Sequence, residues 1–366
     1  MTSREVIHLR GVVVLGDEAE TGDAWVVGGR LTFDRPTTSP TTTLDGWVVP
    51  GLVDVHCHIG LAADGPVDHA TAERQALADR DSGVLLVRDA GSPADTSWVH
   101  ARSDLPRLIR AGHHLARPKR YLRNYGLELA EPGDLPIAAH AEAVRGDGWV
   151  KVVADWIDRD LGPSADLRPL WPDKVLKAAV AAAHDAGARV TAHTFATESI
   201  DPLLDAGIDC LEHATGATHD QIERIATLGI PVTATLLQVA QFEAIAAQGE
   251  AKYPRFAARM RAMGERRHQQ VRDLHDAGVP ILVGTDAGGT IGHGRLADEA
   301  AELVAAGLPA REVVAAASWR TREWLGVDVL AEGASADLVV YDRDPREDIS
   351  VLADPAAVVL RGVRVA

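Results

Sequence analysis

The sequence has few cysteines, no long apolar run and a deficit of basic residues, and each shortage excludes a class of protein. Cys57 and Cys210 are the only 2 cysteines in 366 residues, which rules out a disulfide framework and makes a cytoplasmic location the default expectation. No apolar stretch reaches the roughly 18 residues of a membrane helix. The opening MTSREVIHLRG also lacks the pattern of a signal peptide. With 37 Lys and Arg against 53 Asp and Glu, the net charge of −16 argues against nucleic acids and anionic membranes as partners.

Short apolar, β-branched runs alternate along the chain with Ala-rich stretches of helical spacing. Strands are predicted at 48–55, 84–88, 119–123, 149–154, 189–193, 208–212, 231–235 and 281–285. Helices are predicted at about 68–81, 97–111, 137–145, 173–186, 197–206, 218–228, 253–277 and 295–325. Eight strand–helix units in series predict an α/β protein built as a (β/α)8 TIM barrel. In such barrels the active site lies at the C-terminal ends of the strands.

The two ends of the chain have a different pattern. Residues 1–49 and 334–366 contain alternating segments and turn signals that are typical of antiparallel strands. Neither end is long enough to bury a core alone. We therefore expect a composite β-sandwich domain, formed by 1–49 plus 334–366, beside a barrel domain formed by 50–333.

Six polar side chains stand at or near the ends of five predicted barrel strands. The stretch VVPGLVDVHCHIG ends the first strand with His56 and His58, which face the same way because side chains alternate along a strand. The other four are Lys151, His193, His213 and Asp286. Each one alone has an ordinary structural explanation, as a hydrogen-bonded histidine, a cap or a solvated charge. All six together, on the face where a barrel places its catalytic groups, predict a metal site.

Several motifs of this chain resemble those of the amidohydrolase superfamily. The matching segments are PGLVDVHCHIG at the first strand, GTDAG at the eighth strand and GASADLVVYD near the C-terminus. The segments GWVKVVAD and TAHTFATESIDPLLDAGIDCLEHAT look most like the branch with imidazolonepropionase-like enzymes, prolidases and related metal-dependent carboxypeptidases. The resemblance implies a metal-dependent hydrolase that acts on a small-molecule substrate. The sequence does not determine the oligomeric state, and a homo-oligomer stays open.

The resemblance also implies how the six residues bind two divalent ions. One ion is expected at His56, His58 and Asp286, and the other at His193 and His213. Two neighbouring cations need an anionic bridge, and an unmodified lysine ammonium has no lone pair. Lys151 is therefore expected to carry a CO₂-derived carbamate. The alternative is a single ion, with Lys151 as an uncharged bystander or an ion-pair partner of Asp155. Zn²⁺ suits the mixed imidazole and carboxylate ligands best, while Mn²⁺ and Fe²⁺ stay open.

The expected reaction is hydrolysis of an amide-type C–N bond, linear or cyclic. A hydroxide held by the metals attacks the carbonyl carbon, and Asp286 carries the proton to the leaving group. A supplementary hypothesis is a substrate with a free carboxylate, such as a dipeptide or an N-acyl amino acid, although the sequence does not name the molecule. A lactonase or phosphotriesterase and a deaminase are the alternatives, although the His-x-x-Glu spacing expected of a deaminase is missing. A non-catalytic scaffold is disfavoured because no metal ligand has been lost.

Four residues are predicted to contact the substrate. Arg120 or Arg123 would bind a carboxylate, and Tyr125 would donate a hydrogen bond to the developing oxyanion. The alternative is that the two arginines meet acidic neighbours at the surface. His293, in a Gly-rich loop after the eighth strand, is either a substrate contact or solvent-exposed. His114 has no strand-end position in this scheme and is set aside.

Overall fold

The computed structural model describes residues 6–366. The strands, numbered along the chain, are β1 Val6–Val14, β2 Glu20–Val27, β3 Arg30–Thr32, β4 Thr42–Pro50, β5 Leu52–Cys57, β6 Leu61–Ala62, β7 Gly65–Pro66, β8 Val84–Asp89, β9 Arg107–Arg110, β10 His114–Ala116, β11 Gly126–Glu128, β12 Trp149–Val153, β13 Asp155–Ile157, β14 Leu167–Pro169, β15 Arg189–Thr194, β16 Cys210–His213, β17 Val232–Thr233, β18 Ile281–Leu282, β19 Leu338–Tyr341, β20 Ala357–Leu360 and β21 Val363–Arg364.

The helices lie mainly between the central strands. They are α1 His69–Asp81, α2 Leu135–Arg145, α3 Asp173–Asp185, α4 Thr197–Ala206, α5 His219–Leu228, α6 Leu236–Val239, α7 Phe242–Gly249, α8 Pro254–Glu265, α9 Arg267–Asp276, α10 Leu296–Ala305, α11 Ala310–Ala316 and α12 Trp319–Leu325. Short 3-10 helices occur at Ser97–Ala101, Pro132–Asp134, Arg159–Ser164 and Ile349–Ala353. Within residues 6–366, no helix combines the length and the apolar character that crossing a bilayer requires.

Two parallel sheets form the centre of the fold. One has the strand order β11-β10-β12-β15-β16-β17-β18, and the other has the order β5-β8-β9. Backbone hydrogen bonds join the two sheets, from Val55 N to Val283 O at 3.2 Å and from His58 N to Ala287 O at 2.8 Å. The parallel α/β architecture agrees with the sequence. The assigned strands nevertheless form two sheets rather than one ring, so the closed barrel stays a prediction.

The two ends of the described chain meet in one mixed sheet of the order β21-β20-β19-β4-β1-β2-β3. The N-terminal and C-terminal segments pair directly. β4 and β19 are antiparallel neighbours, and Val49 lies opposite Val339. Apolar side chains such as Ile7, Leu9 and Leu338 are buried on this sheet. The structure therefore joins the chain ends as expected, whereas the sandwich and the domain boundaries stay predictions.

The third central strand lies at a different position in the chain from the one that the sequence pattern predicted. The expected strand 119–123 and most of the expected helix 97–111 are absent. The chain instead forms β9 and β10, which pair with β8 and β12 respectively. Lys119 and Asn124 have φ angles of 60° and 65°, a left-handed conformation that interrupts an extended strand. This shift changes which residue stands at the end of the third strand.

The long C-terminal helical predictions are divided in the structure. The predicted helix 253–277 becomes α8 and α9, and the predicted helix 295–325 becomes α10, α11 and α12. α6 and α7 have no counterpart in the sequence-based prediction. Together with α8, they supply residues of the wall above the strand ends, where the candidate site lies.

Candidate active site

Three of the predicted ligands converge on one point at the end of β5. Asp286 Oδ1 lies 3.2 Å from His56 Nε2 and 3.0 Å from His58 Nε2. The backbone fixes this approach, because Asp286 N donates a hydrogen bond to His56 O at 2.7 Å. A φ of 60° at Asp286 turns the chain sharply after the strand. Two imidazoles and one carboxylate thus have their ligand atoms within the space of one divalent ion.

The other two predicted histidines lie beside this group. His193 Nδ1 is 3.1 Å from His213 Nε2, and the ring centroids of His213 and His56 are 5.1 Å apart. His213 Nδ1 pairs with the Thr235 hydroxyl at 2.6 Å, which orients the ring. His193 Nε2 is buried without a hydrogen-bond partner among residues 6–366. The structure therefore brings the four predicted imidazoles into one cluster.

Burial sets the charges of the cluster. It lowers the pKa of His193 and of His213 well below the ordinary value, so both rings are neutral and have a free lone pair. Burial acts to raise the pKa of Asp286, but the neighbouring His56 and His58 hold that pKa well below its usual range. Neutral rings of His193 and His213 beside the ionised Asp286 are in the protonation states that a divalent metal requires. The residues therefore fit a metal.

Lys151 has a different ion-pair partner from the one considered in the sequence analysis. Its Nζ contacts Glu212 Oε2, and both side chains are fully buried. Asp155 instead accepts hydrogen bonds from the Thr194 hydroxyl and from the backbone nitrogens of Phe195 and Ala196. The ion pair considered between Lys151 and Asp155 is therefore wrong, because the partner of Lys151 is Glu212.

Sequence reasoning missed Glu212, which directly precedes His213. Burial raises its pKa, but the positive charge of Lys151, followed by that of His56, lowers the pKa to about 2. Glu212 Oε2 lies 3.9 Å from His56 Nδ1. Strict alternation would place Glu212 and His213 on opposite sides, but a φ of 65° at His213 breaks the strand and brings both toward the cluster.

Sequence reasoning also missed His114. It lies in β10 opposite Lys151 of β12, is fully buried, and has no hydrogen-bond partner on either ring nitrogen among residues 6–366. Its ring centroid is 5.0 Å from that of His58 and 5.3 Å from that of Tyr121. Burial lowers its pKa well below the ordinary value. The displaced third strand is the reason that His114 was overlooked.

A cavity of about 440 Å³ opens above the cluster. His58, His193 and Asp286 contribute to its lining. Most of the remaining lining is aromatic or aliphatic and includes Tyr121, Tyr125, Trp156, Ile157, Leu167, Phe195, Ile245, Tyr253, Phe256 and Met260. Such a pocket suits a bulky apolar group.

The predicted substrate residues are separated by the fold. Tyr125 lines the cavity, whereas Arg120, Arg123 and His293 are not among its lining residues. Arg120 makes an ion pair of 2.6 Å with Asp158, the surface alternative considered for this side chain. Among the described residues, Arg159 is the only lysine or arginine that lines the cavity. Sequence reasoning gave no signal for Arg159, because it follows no strand end.

His293 lies in a different place from the one predicted. Its Nδ1 is 2.8 Å from Asp79 Oδ2, and its side chain is 5% exposed, so it is not the solvent-exposed loop residue considered above. Cys57 contacts both of these residues.

Comparisons with known proteins show the family and the fold of the chain. Residues 47–365 match the model of the amidohydrolase family. The chain is 48% identical to an uncharacterized protein of Mycobacterium tuberculosis, over 97% of this chain and 95% of that one. It is 29% identical to ochratoxinase of Aspergillus niger, over 85% of this chain and 73% of the relative.

The fold is similar to the crystal structure of a Xaa-Pro dipeptidase with methionine bound in its active site. The TM-score is 0.82 at 21% identity, with 99% of this chain and 100% of the other covered. The chain belongs to the amidohydrolase family, as the motifs indicated, and is a hydrolase that acts on carbon–nitrogen bonds.

Proposed function

We propose that the protein hydrolyses the amide bond of a small molecule that carries a bulky apolar group and a free carboxylate. The observation that supports this most is the convergence of His56, His58 and Asp286 beside an apolar cavity. The cavity has room for a compound of dipeptide size, and its walls favour an apolar side chain.

Two groups of residues would hold the metal ions. His56, His58 and Asp286 would hold one ion, and His193 and His213 the other. When bound, divalent ions such as Zn²⁺ supply a Lewis acid and lower the pKa of water. The remaining steps depend on protein side chains.

We also propose that Lys151 carries a CO₂-derived carbamate, which would be the anionic bridge between the ions. Its contact with Glu212 is the competing state, since the carboxylate stabilises the protonated amine that cannot react with CO₂. Modification therefore requires that the lysine proton leave and that the contact with Glu212 rearrange.

Three residues would handle the proton and the developing charge. Asp286 is ionised and close to His56 and His58, so it can accept a proton from the attacking water and deliver it to the leaving nitrogen. His114 lies against the rings of His58 and Tyr121, which line the cavity, and its neutral ring has an N–H with no other partner among residues 6–366. In this proposal that N–H donates to the carbonyl oxygen as charge develops. Tyr125, at the cavity wall, is a second donor, as predicted from the sequence.

The substrate end of the cavity suggests how the molecule is oriented. Arg159, the cavity's arginine, would bind the carboxylate by a charge-assisted hydrogen bond. The apolar group would pack against Phe195, Tyr253 and Phe256. The similar dipeptidase structure holds methionine, an apolar amino acid with a carboxylate, which is the type of product proposed here.

A hydrolysis screen of the metal-loaded protein tests this function. The panel should contain N-acyl amino acids, Xaa-Pro and other dipeptides, cyclic imides and lactams, with an aryl ester and a phosphotriester as controls. We expect cleavage of linear amides with an apolar residue and a carboxylate, and loss of that activity with a chelator. Cleavage of the ester or phosphotriester without any amide cleavage would contradict the proposal, as would ammonia release from a purine or pyrimidine alone.

A further inference from the structure

A second group of metal-binding side chains lies on the other side of β5 from His56 and His58. Cys57 stands between those histidines, so alternation directs its side chain away from the active site. Cys57 Sγ is 3.5 Å from His293 Nδ1 and 3.6 Å from Asp79 Oδ2. His293 Nδ1 is 2.8 Å from Asp79 Oδ2. The active site described above uses none of these three atoms.

These separations are close to those of a tetrahedral zinc site. Bonds of about 2.3 Å to sulfur and about 2.1 Å to nitrogen and oxygen place sulfur about 3.6 Å from the other two ligand atoms, and those two about 3.4 Å apart. The observed distances from sulfur, 3.5 and 3.6 Å, match. The distance of 2.8 Å between His293 and Asp79 is that of a hydrogen bond, so only this pair has to open slightly.

The surrounding charge favours a cation. Asp89 lies opposite Cys57 in the pairing of β5 and β8, and its Oδ2 is buried without a hydrogen-bond partner among residues 6–366. Asp54, in the same strand β5, is also buried. Of the three side chains that would bind the ion, only His293 can carry positive charge. A divalent ion would supply the charge that this acidic environment lacks.

One member of this group, His293, borders a surface cavity. This separate cavity of about 440 Å³ is also lined by Gln75 and Arg74 of α1. An access route from solvent is one of the requirements for a metal site.

We propose that Cys57, Asp79 and His293 bind one Zn²⁺ ion, separate from the catalytic metals. On binding, the Cys57 thiol proton and the proton held between His293 and Asp79 leave to solvent, and the ion takes the sulfur, nitrogen and oxygen lone pairs. Water fills the fourth position. The ion joins β5, α1 and the loop after β18, and so fixes the segment that carries His56 and His58.

Cobalt spectroscopy tests this site separately from catalysis. The proposed catalytic ligands are nitrogen and oxygen only, so a thiolate-to-cobalt charge-transfer band in the near ultraviolet requires a cysteine ligand. We expect metal-depleted protein to gain this band on addition of Co²⁺ and to lose it when Zn²⁺ competes. We also expect the band in the Asp286→Asn variant, whatever its activity.

The two cysteines give a matched pair of variants. Cys57→Ser should abolish the band, while Cys210→Ser should retain it, because within residues 6–366 Cys210 belongs to no group of metal-binding side chains. His293→Gln should weaken cobalt binding at this band, with folding checked by circular dichroism. Absence of the band in the wild type at saturating Co²⁺ would overturn the proposal without any variant. A band that survives in folded Cys57→Ser would also overturn the proposal.

Discussion

The imidazole ring of His114 lies 5.0 Å from that of His58, although the two histidines come from different strands. Both nitrogens of His114 lack partners among residues 6–366, and burial lowers its pKa well below the ordinary value. A buried, neutral and unpartnered donor beside a proposed metal-ligand histidine is costly unless it binds something. Substrate provides that partner in our proposal.

The first prediction concerns this donor. His114→Leu should lower kcat about 100-fold, the loss typical of one oxyanion donor, while metal content stays unchanged. His113→Leu is the matched control, because the neighbouring His113 ring already has a partner in Glu142, at 3.1 Å. Steady-state kinetics and metal analysis measure both effects. A change in KM alone would show that His114 binds the ground state rather than the transition state.

Replacement of Asp286 should separate metal binding from turnover. Asp286→Asn keeps an oxygen near His56 and His58 but removes the base, so metal content should remain largely intact while kcat falls about 100-fold or more. Asp298→Asn, at an exposed ion pair with Arg295, is the control. Wild-type turnover in Asp286→Asn would exclude the proton-transfer role.

Arg159 and Arg120 make opposite predictions about carboxylate binding. Because Arg159 lines the cavity, Arg159→Ala should raise KM about 10-fold for a carboxylated substrate, as loss of a charge-assisted hydrogen bond implies, and leave KM for its neutral amide analogue unchanged. Arg120→Ala should have little effect, since Arg120 is paired with Asp158. The reverse result would restore the assignment made from the sequence.

The bridge at Lys151 has a direct spectroscopic test. Native protein incubated with ¹³C-labelled bicarbonate should show a carbamate carbon resonance that Lys151→Ala abolishes and that the surface control Lys174→Ala retains. Two metal ions per chain at His56, His58, His193, His213 and Asp286 should accompany it, counted in Cys57→Ser so that the second proposed site does not contribute. One ion and no carbamate would exclude the bridge. If the carbamate is also checked by the intact mass of the protein, that mass should not be measured in acid, because acid removes the carbamate.

The stability of the metal-free protein should depend on its buried histidines. The unfolded chain has an ordinary histidine pKa of 6.5, whereas burial lowers the pKa of His193 in the folded chain well below this value. The unfolded state therefore binds more protons below pH 6.5, so this histidine contributes stability above pH 6.5 that is lost as the pH falls.

The measurement compares two variants, because buried carboxyl groups act in the opposite sense. Burial raises the pKa of Glu299 to about 8, which favours the folded state at lower pH. In chelator, the change in Tm between about pH 7.5 and about pH 5.5 should be less destabilising in His193→Gln than in the wild type. His219→Gln, at an exposed position, should match the wild type. Equal pH dependence in all three proteins would contradict the role of His193.

Much of the site could be predicted because it depends on strand periodicity. His56 and His58 share a face of β5, and the glycines and apolar runs around Asp286 mark a strand end. These patterns are local, so they survive in a single sequence. The helices α1, α4 and α5 were also placed within about two residues, the usual uncertainty of helix ends.

The residues of the site that the sequence did not predict lie where the regular strand and helix patterns break. Glu212 joins the cluster because the backbone at His213 has a φ of 65°, which no alternation rule predicts. His114 was set aside because the third strand was expected at 119–123, beyond the true strand β10. α6 and α7 are short and supply cavity residues only through their packing with α8, so their role is not encoded in a local pattern.

The sequence by itself determined the parallel α/β architecture, the family and the set of histidines and carboxylates available for metal. Tertiary structure alone decided which charges face each other: Lys151 meets Glu212, Arg159 reaches the cavity, and His293 meets Cys57 and Asp79 behind the first strand. The physical reason is the distance along the chain over which each effect acts. Periodicity fixes the direction of a side chain relative to its own strand, whereas the partner of a buried charge is set by segments far away in the chain.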